Sequence, residues 1–169
     1  LDALYNTPPG VPKHRYLGMY PDDTGLTGLF HMGNEPAFHI PYLYNYVGAP
    51  WKAQKRLRQL MQDWFRNDLM GVCGDEDGGA LSSWYVFSAM GFYPVCPGKP
   101  VYMIGSPLFE KIEISLPGNK TFTIHATNAS KQNKYIQSAS LNGQNWNHCW
   151  IMHEQIMDGG ELTLTMGKR

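Results

Sequence analysis

Apolar residues recur with helical spacing after Pro50. They stand at i, i+3, i+4, i+7 and i+8 along one stripe, while Lys, Arg and Gln side chains fill the opposite face. The pattern predicts an outer helix that begins at Pro50 and packs one face on the core. The apolar stripe consists of Leu57, Leu60, Met61, Trp64 and Phe65.

A second helix is predicted from about Ala80 to Gly91. Apolar residues occupy nearly all of its sides, which is typical of a buried helix. A glycine-rich, acidic loop joins the two helices. An outer helix followed by an inner one is the repeating unit of a helical barrel, so the first half of the chain is predicted to consist of helical hairpins.

After Gly98 the apolar period changes to two. Apolar and polar residues alternate through 111–116 and again through 121–126, which predicts half-buried strands. Pro117-Gly118-Asn119 and Asn142-Gly143 are turn sequences that predict antiparallel hairpins. The overall prediction is an α+β fold, with a helical part over residues 1–98 and a small antiparallel β region over residues 99–169.

The first 30 residues carry many prolines and glycines and are predicted to form loop with at most one short turn of helix. Asp22–Gly25 is a candidate cation-binding turn, although such a sequence more often forms a plain turn. A helix is predicted from Pro36, with Asn34 or Glu35 at its cap, and Pro41 should kink it.

Composition excludes several classes of function. Lys plus Arg equal Asp plus Glu at 14 each, so the chain has no electrostatic footprint for nucleic acid or an anionic membrane. No apolar run approaches the roughly 18 residues of a membrane span. The 3 cysteines lack the spacing of a disulfide framework or a zinc site. A soluble globule with a sizeable core is expected.

The acidic loop is the strongest candidate for chemistry. Asp75, Glu76 and Asp77 are consecutive carboxylates that repel one another and have no helical partners. One of them, Asp77 by position, is expected to cap the following helix, but capping does not account for three. Because perturbed carboxylates cluster at functional sites, we expect this turn to lie at the bottom of a cleft.

Four blocks in order resemble glycoside hydrolase family 92, from about Tyr16 to the C-terminus. Several blocks in order are more specific than any single motif. The resemblance implies a calcium-dependent, inverting exo-α-mannosidase in which this chain is the C-terminal portion and its helices are part of an (α/α)6 barrel. The blocks are Gly33-Asn-Glu-Pro36, Ile40-Pro-Tyr-Leu-Tyr-Asn-Tyr46, Gly74-Asp-Glu-Asp-Gly-Gly79 and Ser83-Trp-Tyr-Val-Phe-Ser-Ala-Met-Gly-Phe-Tyr-Pro-Val95.

Carried over by position, the resemblance makes Asp77 the general base and Asp75 its supporting carboxylate. A second carboxylate close by raises the proton affinity of a base. The resemblance also places substrate-binding residues in and beside the first block, and one of them, Glu35, is the candidate calcium ligand. For either histidine the alternative is a packed core group, and for Glu35 it is a helix cap. The substrate-binding residues are His31, Asn34, Glu35 and His39.

The general acid of the family lies upstream, and residues 1–30 contain no glutamate. The chain alone is therefore predicted to be inactive, and its helices should pack on the N-terminal remainder of the enzyme or on a second copy. The resemblance also implies a periplasmic or secreted location and a mannose-containing glycan as substrate. The alternative is a non-catalytic carbohydrate-binding or interaction module whose β half carries Trp146 and Trp150.

Overall fold

The computed structural model describes residues 1–20 and 23–168, so Asp22 of the candidate cation turn lies outside the described residues. Helices and strands follow the predicted order, helical first and β-rich second. The helices are α1 Asp2–Asn6, α2 Lys13–Met19, α3 Leu43–Tyr46, α4 Pro50–Trp64, α5 Ala80–Met90 and α6 His153–Met157. The strands are β1 Leu26–Thr27, β2 Phe30–His31, β3 Phe92–Tyr93, β4 Val101–Ile104, β5 Lys111–Leu116, β6 Lys120–Thr127, β7 Tyr135–Leu141, β8 Gln144–Asn145, β9 Trp150–Met152 and β10 Gly160–Gly167.

Helix α4 is the predicted outer helix. It begins at Pro50, where the missing N–H of proline costs nothing because the first helical N–H groups have no partner in the helix. Leu57 and Leu60 on its apolar stripe are fully buried, and Met61 is nearly so. Burying each such side chain contributes roughly 1.5–3 kcal/mol, which fixes the face that α4 turns to the core.

Helix α5 is the predicted inner helix, but it buries one stripe rather than all sides. Trp84 is fully buried, its ring stacks on Phe65 with centroids 5.6 Å apart, and its Nε1–H donates to the carbonyl of Phe38 over 3.1 Å. Val86 on the other side is 54% exposed. The prediction of burial all round was wrong because the described part of the chain leaves that side open to solvent.

The first 30 residues hold more structure than predicted. They form α1, α2 and the β1–β2 hairpin, and α1 is fixed onto α4. Asp2 accepts hydrogen bonds from Tyr44 and Lys52, and Arg56 lies 4.6 Å from the ring centre of Tyr5. Contacts with α4, which local composition does not reveal, therefore stabilise a segment that proline and glycine content had assigned to loop.

The segment after the hairpin contains two 3₁₀ turns, Glu35–Ala37 and Ile40–Tyr42, and then α3, in place of one kinked helix. Pro41 lacks an N–H donor, so a continuous α-helix from Pro36 would lose a hydrogen bond there, whereas Pro36 in the first turn would lose none. The Tyr42 hydroxyl shares a 2.9 Å hydrogen bond with buried Ser88 of α5. The segment is thereby held against α5.

The large sheet is mixed, not purely antiparallel. Its strand order is β5-β6-β10-β7-β8, and β10 runs parallel to β6 and antiparallel to β7. The β5–β6 and β7–β8 hairpins are confirmed, and Asn142 and Gly143 have φ of 50° and 78°, as a type I′ turn requires. The parallel pair arises because β10 inserts between β6 and β7, a long-range pairing that period-two patterns do not specify.

Buried apolar residues form two clusters, one centred on α4 and α5 and one between the large sheet, β9 and α6. A three-stranded sheet, in the order β3-β4-β9, joins strands from both halves of the chain. The division into residues 1–98 and 99–169 stays a prediction. Among the described residues no helix is long and apolar enough to cross a bilayer.

A close backbone contact joins the β1–β2 hairpin to the acidic loop. A Cβ built on Gly74 would overlap the carbonyl oxygen and Cα of Gly33 and lie 2.7 Å from its carbonyl carbon. A Cβ on Gly33 would in turn overlap the Thr24 hydroxyl. Only glycine at both positions permits this approach, so the contact is built into the sequence.

Replacing Gly74 with alanine should push the two loops apart. Backbone atoms, which cannot rotate away as a flexible side chain can, meet the new methyl group. We expect the free energy of unfolding to fall by about 1–3 kcal/mol in urea denaturation.

Gly18→Ala is the matched control. Gly18 lies in α2 and a Cβ there meets nothing within 4 Å, so helix propensity alone should stabilise this variant by up to about 1 kcal/mol. Equal unfolding free energies for the Gly74→Ala variant and the unmodified chain would contradict the contact.

Candidate active site

The β1–β2 hairpin gathers polar side chains at its open end. Its ladder continues past the strands, since the N–H of Gly33 donates to the carbonyl of Thr24 over 3.1 Å. His31 Nδ1 lies 3.5 Å from Asp23 Oδ1, with 28% and 23% of the two side chains exposed. Thr24 Oγ1 is buried without a hydrogen-bond partner among the described residues. An acid, an imidazole and a hydroxyl thus lie together beside the Gly33–Gly74 contact.

Asn34 and Glu35 follow directly, at the start of the first 3₁₀ turn. Asn34 occupies the cap position without a side-chain cap bond, and Glu35 is the first residue of the turn, so Glu35 is not the helix cap. Glu35 Oε1 is buried and has no hydrogen-bond partner in the described part of the chain. Leaving a buried carboxylate oxygen unpaired is costly, which makes Glu35 a candidate for ligand binding.

A cleft of about 410 Å³ lies against Glu35. It is bounded by the 3₁₀ segment, the first turns of α5 and the residues from β3 to Pro97, and its lining is mainly aromatic and aliphatic with a few polar groups. An apolar lining with few polar groups is usual for a small-molecule site. Lining residues include Glu35, His39, Ser83, Phe87, Tyr93 and Val95.

The acidic turn packs next to this region through Gly74, but its side chains point outward. Gly79 is the N-cap residue of α5. Glu76, rather than Asp77, satisfies N–H groups of its first turn with its side chain, because its Oε1 accepts the N–H of Ser82 over 3.3 Å, and its carbonyl accepts that of Ala80 over 3.0 Å. Asp77 adopts a left-handed φ of 45°. Asp75 and Asp77 are exposed and do not line this cleft. The placement of the turn at the bottom of a cleft stays a prediction.

Asp75 and Asp77 are uncommitted carboxylates. Neither forms a side-chain hydrogen bond or ion pair with any described residue. Cys73, which precedes the turn, differs: burial raises the pKa of its thiol to about 11, so it stays neutral near pH 7. The two aspartates are therefore the carboxylates of this turn that have no side-chain partner among the described residues.

The described residues hold no group of three or more His, Cys, Asp or Glu side chains arranged around a metal. Calcium binds 6–8 oxygen atoms as a rule. The unpaired buried oxygen of Glu35 fits one such ligand position. Glu35 thus fits a calcium site as one ligand among several.

The structure brings the residues of the first block and the acidic turn together, although sequence separates them by about 40 positions. His39 is exposed at the cleft, four residues after Glu35, whereas His31 lies toward Asp23. Sequence reasoning missed the pairing of Asp23 with His31. The glycines Gly25 and Gly28 suit a tight turn, and such a turn brings Asp23 on one side next to His31 on the other.

Comparisons with known proteins cover the whole described chain. Residues 1–168 match the glycosyl hydrolase family 92 catalytic domain. An uncharacterized secreted glycosidase of Arthroderma benhamiae is 40% identical over 145 residues, which are 84% of this chain and 19% of that relative.

Solved structures of the same family are similar to this chain. An inverting mannosidase of family GH92 from Bacteroides thetaiotaomicron is 40% identical, with a TM-score of 0.81 over 99% of this chain and 23% of its own. An α-mannosidase of the same family and organism, in complex with mannoimidazole, is 34% identical, with a TM-score of 0.88 over 99% of this chain and 22% of its own. The chain therefore spans about a fifth of the length of these relatives, and it belongs to glycosyl hydrolase family 92.

Proposed function

We propose that this chain is the C-terminal part of an inverting, calcium-dependent exo-α-mannosidase that releases terminal mannose from glycans, with an α-1,2-mannosidase-like preference. The observation that carries the proposal is the packing of Gly33 on Gly74, which places the Glu35 block and the acidic turn side by side. The names of the related mannosidases support the choice of substrate. Residues 1–98 would belong to an (α/α)6 barrel and residues 99–169 to a β subdomain.

Asp77 is the proposed general base. An inverting glycosidase needs a carboxylate that takes a proton from water while the water oxygen attacks the anomeric carbon and the glycosidic bond breaks on the opposite face. Asp77 is solvent-accessible and has no competing partner among the described residues. Asp75, two residues away, is its proposed supporting carboxylate.

Glu35 and its neighbours are the proposed substrate pocket. His31, Asn34 and His39 supply hydrogen-bonding groups for sugar hydroxyls, and aromatic residues of the cleft supply apolar surface for the ring. Glu35 would hold calcium through its unpaired oxygen. When bound, calcium supplies positive charge for sugar hydroxyl oxygens.

The general acid would come from outside this sequence, so the chain alone should not hydrolyse mannosides. Its outer face, which we define as Leu69, Met70, Val72 and Val86, is exposed and apolar. Val72 and Val86 line one shallow depression between the loop after α4 and α5. This face is the proposed contact for the remainder of the enzyme or for a second copy. A periplasmic or secreted location is proposed from the relative named as secreted.

A carbohydrate-binding module is the competing hypothesis, favoured by one observation. Trp146 and His148 line a second cleft of about 410 Å³ together with Asn145 and Asn147. Trp146 and Trp150 are in edge-to-face contact, with centroids 5.9 Å apart. Aromatic rings beside amides suit a neutral sugar. Under this hypothesis sugar binding would survive changes at Asp77 and Glu35 and depend on Trp146 or Trp150.

Asp77→Asn in a protein that carries this segment with the rest of the catalytic domain should lower kcat by about 10²–10⁴-fold, because the amide cannot accept the proton. Hydrolysis of a mannobioside measures this. Asp63→Asn, at an exposed acid on α4 away from the turn, should leave kcat unchanged. Full activity of the Asp77→Asn enzyme would remove Asp77 as the base.

Glu35→Gln should weaken calcium-dependent binding of mannoimidazole by the chain. The amide keeps the shape of the side chain and one ligand oxygen but removes the negative charge and the second carboxylate oxygen, which weakens the attraction for calcium. Isothermal calorimetry with and without calcium measures it, and Glu110→Gln, at an exposed acid in the β half, is the control. Equal affinity in all variants, lost instead on Trp146→Ala, would favour the binding-module hypothesis.

The chain alone should bind a hydrophobic dye or self-associate through the outer face. Val86→Ser should reduce both, whereas Val47→Ser, at a valine that is 68% exposed outside that face, should reduce them less. Dye fluorescence and light scattering give the readout. A monodisperse monomer without dye binding would argue against an interface here.

A further inference from the structure

Asp23 lies beside His31 in a position that the catalytic scheme does not use. We propose that Asp23 is a positioning residue, which holds the His31 imidazole in the tautomer that carries its proton on Nδ1 and presents Nε2 as a hydrogen-bond acceptor for a sugar hydroxyl. The role of Nε2 rests on the proposed function, which places His31 in the substrate pocket. The pairing of Asp23 with His31 stands on geometry alone.

The burial of one ring nitrogen carries the argument. His31 Nδ1 is buried and has no full hydrogen bond to any described residue, and its nearest charged neighbour is Asp23 Oδ1 at 3.5 Å. A neutral imidazole bears one N–H and one lone pair. If the lone pair faced the carboxylate, negative charge would meet negative charge, so the proton belongs on Nδ1.

The carboxylate is itself held in place. The Tyr16 hydroxyl of α2 donates to Asp23 Oδ2 over 2.9 Å, which leaves Oδ1 facing the imidazole. That hydrogen bond raises the pKa of Tyr16 above its usual value, as expected for a phenol that donates to a carboxylate. The Tyr16 ring also packs on Tyr20 with centroids 5.1 Å apart. A chain of polar contacts therefore runs from Tyr16 through Asp23 to His31.

The rest of the imidazole remains accessible. Nδ1 is buried, yet 28% of the His31 side chain is exposed, so other ring atoms reach the surface. A neutral Nε2 with a lone pair accepts a hydrogen bond and cannot donate one. The ligand group that fits is a hydroxyl of a neutral sugar, which donates its proton to Nε2.

The tautomer can be read directly by long-range ¹H–¹⁵N NMR of the ¹⁵N-labelled chain at about pH 8, where an ordinary histidine is neutral. His31→Gln identifies the signals by their loss. We expect the His31 Nδ1 shift of the unmodified chain to be that of a protonated nitrogen and its Nε2 shift that of an unprotonated one. In Asp23→Ala the two shifts should move toward the reverse pattern.

Conservative variants separate positioning from simple structural support. Asp23→Asn keeps an oxygen that can accept from Nδ1–H and should retain most of the Nδ1–H form, while Tyr16→Phe should lose part of it. Asp68→Ala, at an exposed acid paired with Arg66 over 3.4 Å, should leave the His31 shifts unchanged. If Asp23→Ala fails to fold, the Asn and Phe variants carry the test.

A protonated Nε2 in the unmodified chain, or shifts that do not move in folded Asp23→Ala, would overturn the proposal. The measurement needs no sugar, so its outcome does not depend on the proposed function.

Calorimetry with mannoimidazole tests that function. If the unmodified chain binds, Asp23→Ala should weaken binding about tenfold, the lower end of the loss seen when a carboxylate that orients a metal-binding histidine is removed. A tautomer change without loss of affinity would overturn the positioning role.

Discussion

The candidate site depends on one backbone contact, that of Gly33 with Gly74. Each of the two loops is also fixed to a neighbouring helix. The hairpin turn docks on α1, where the N–H of Leu29 donates to the carbonyl of Leu4 over 2.8 Å. The acidic turn is fixed to α5 through Glu76. Two anchored loops that meet glycine to glycine can approach as closely as backbone allows, and their neighbouring side chains then share one region.

Hydrogen bonds in the core fix the segment that carries Glu35 to helix α5. Trp84 of α5 donates to the carbonyl of Phe38 in the segment that carries Glu35, and the Tyr42 hydroxyl meets Ser88 of the same helix. These buried hydrogen bonds tie the 3₁₀ segment to the helix that follows the acidic turn. Buried polar bonds of this kind specify one arrangement, because breaking either leaves unsatisfied groups in the core.

Local sequence patterns predicted those elements that a few neighbouring residues can specify. The stripe of α4 and the turn at Asn142-Gly143 are encoded within a few residues, and both were confirmed. Non-local pairings were missed: α1 is held by α4, and β10 inserts parallel to β6. At the site, contiguous motifs identified the residues that cluster. They did not predict that Glu76 accepts the N–H of Ser82 or that Asp23 pairs with His31, because both contacts depend on how the chain turns.

The carboxylates of the candidate site differ in how far they are exposed to solvent, and the difference has a physical meaning. Glu35 keeps a carboxylate oxygen buried and unpaired, whereas Asp75 and Asp77 are open to solvent. A buried, unpaired acid is costly unless a ligand satisfies it, while a proton acceptor for water must remain reachable by water. The two carboxylate environments match the two tasks of the proposed function, ligand binding on the hairpin side and proton transfer on the turn side. In that proposal the glycine contact would allow one substrate to meet both.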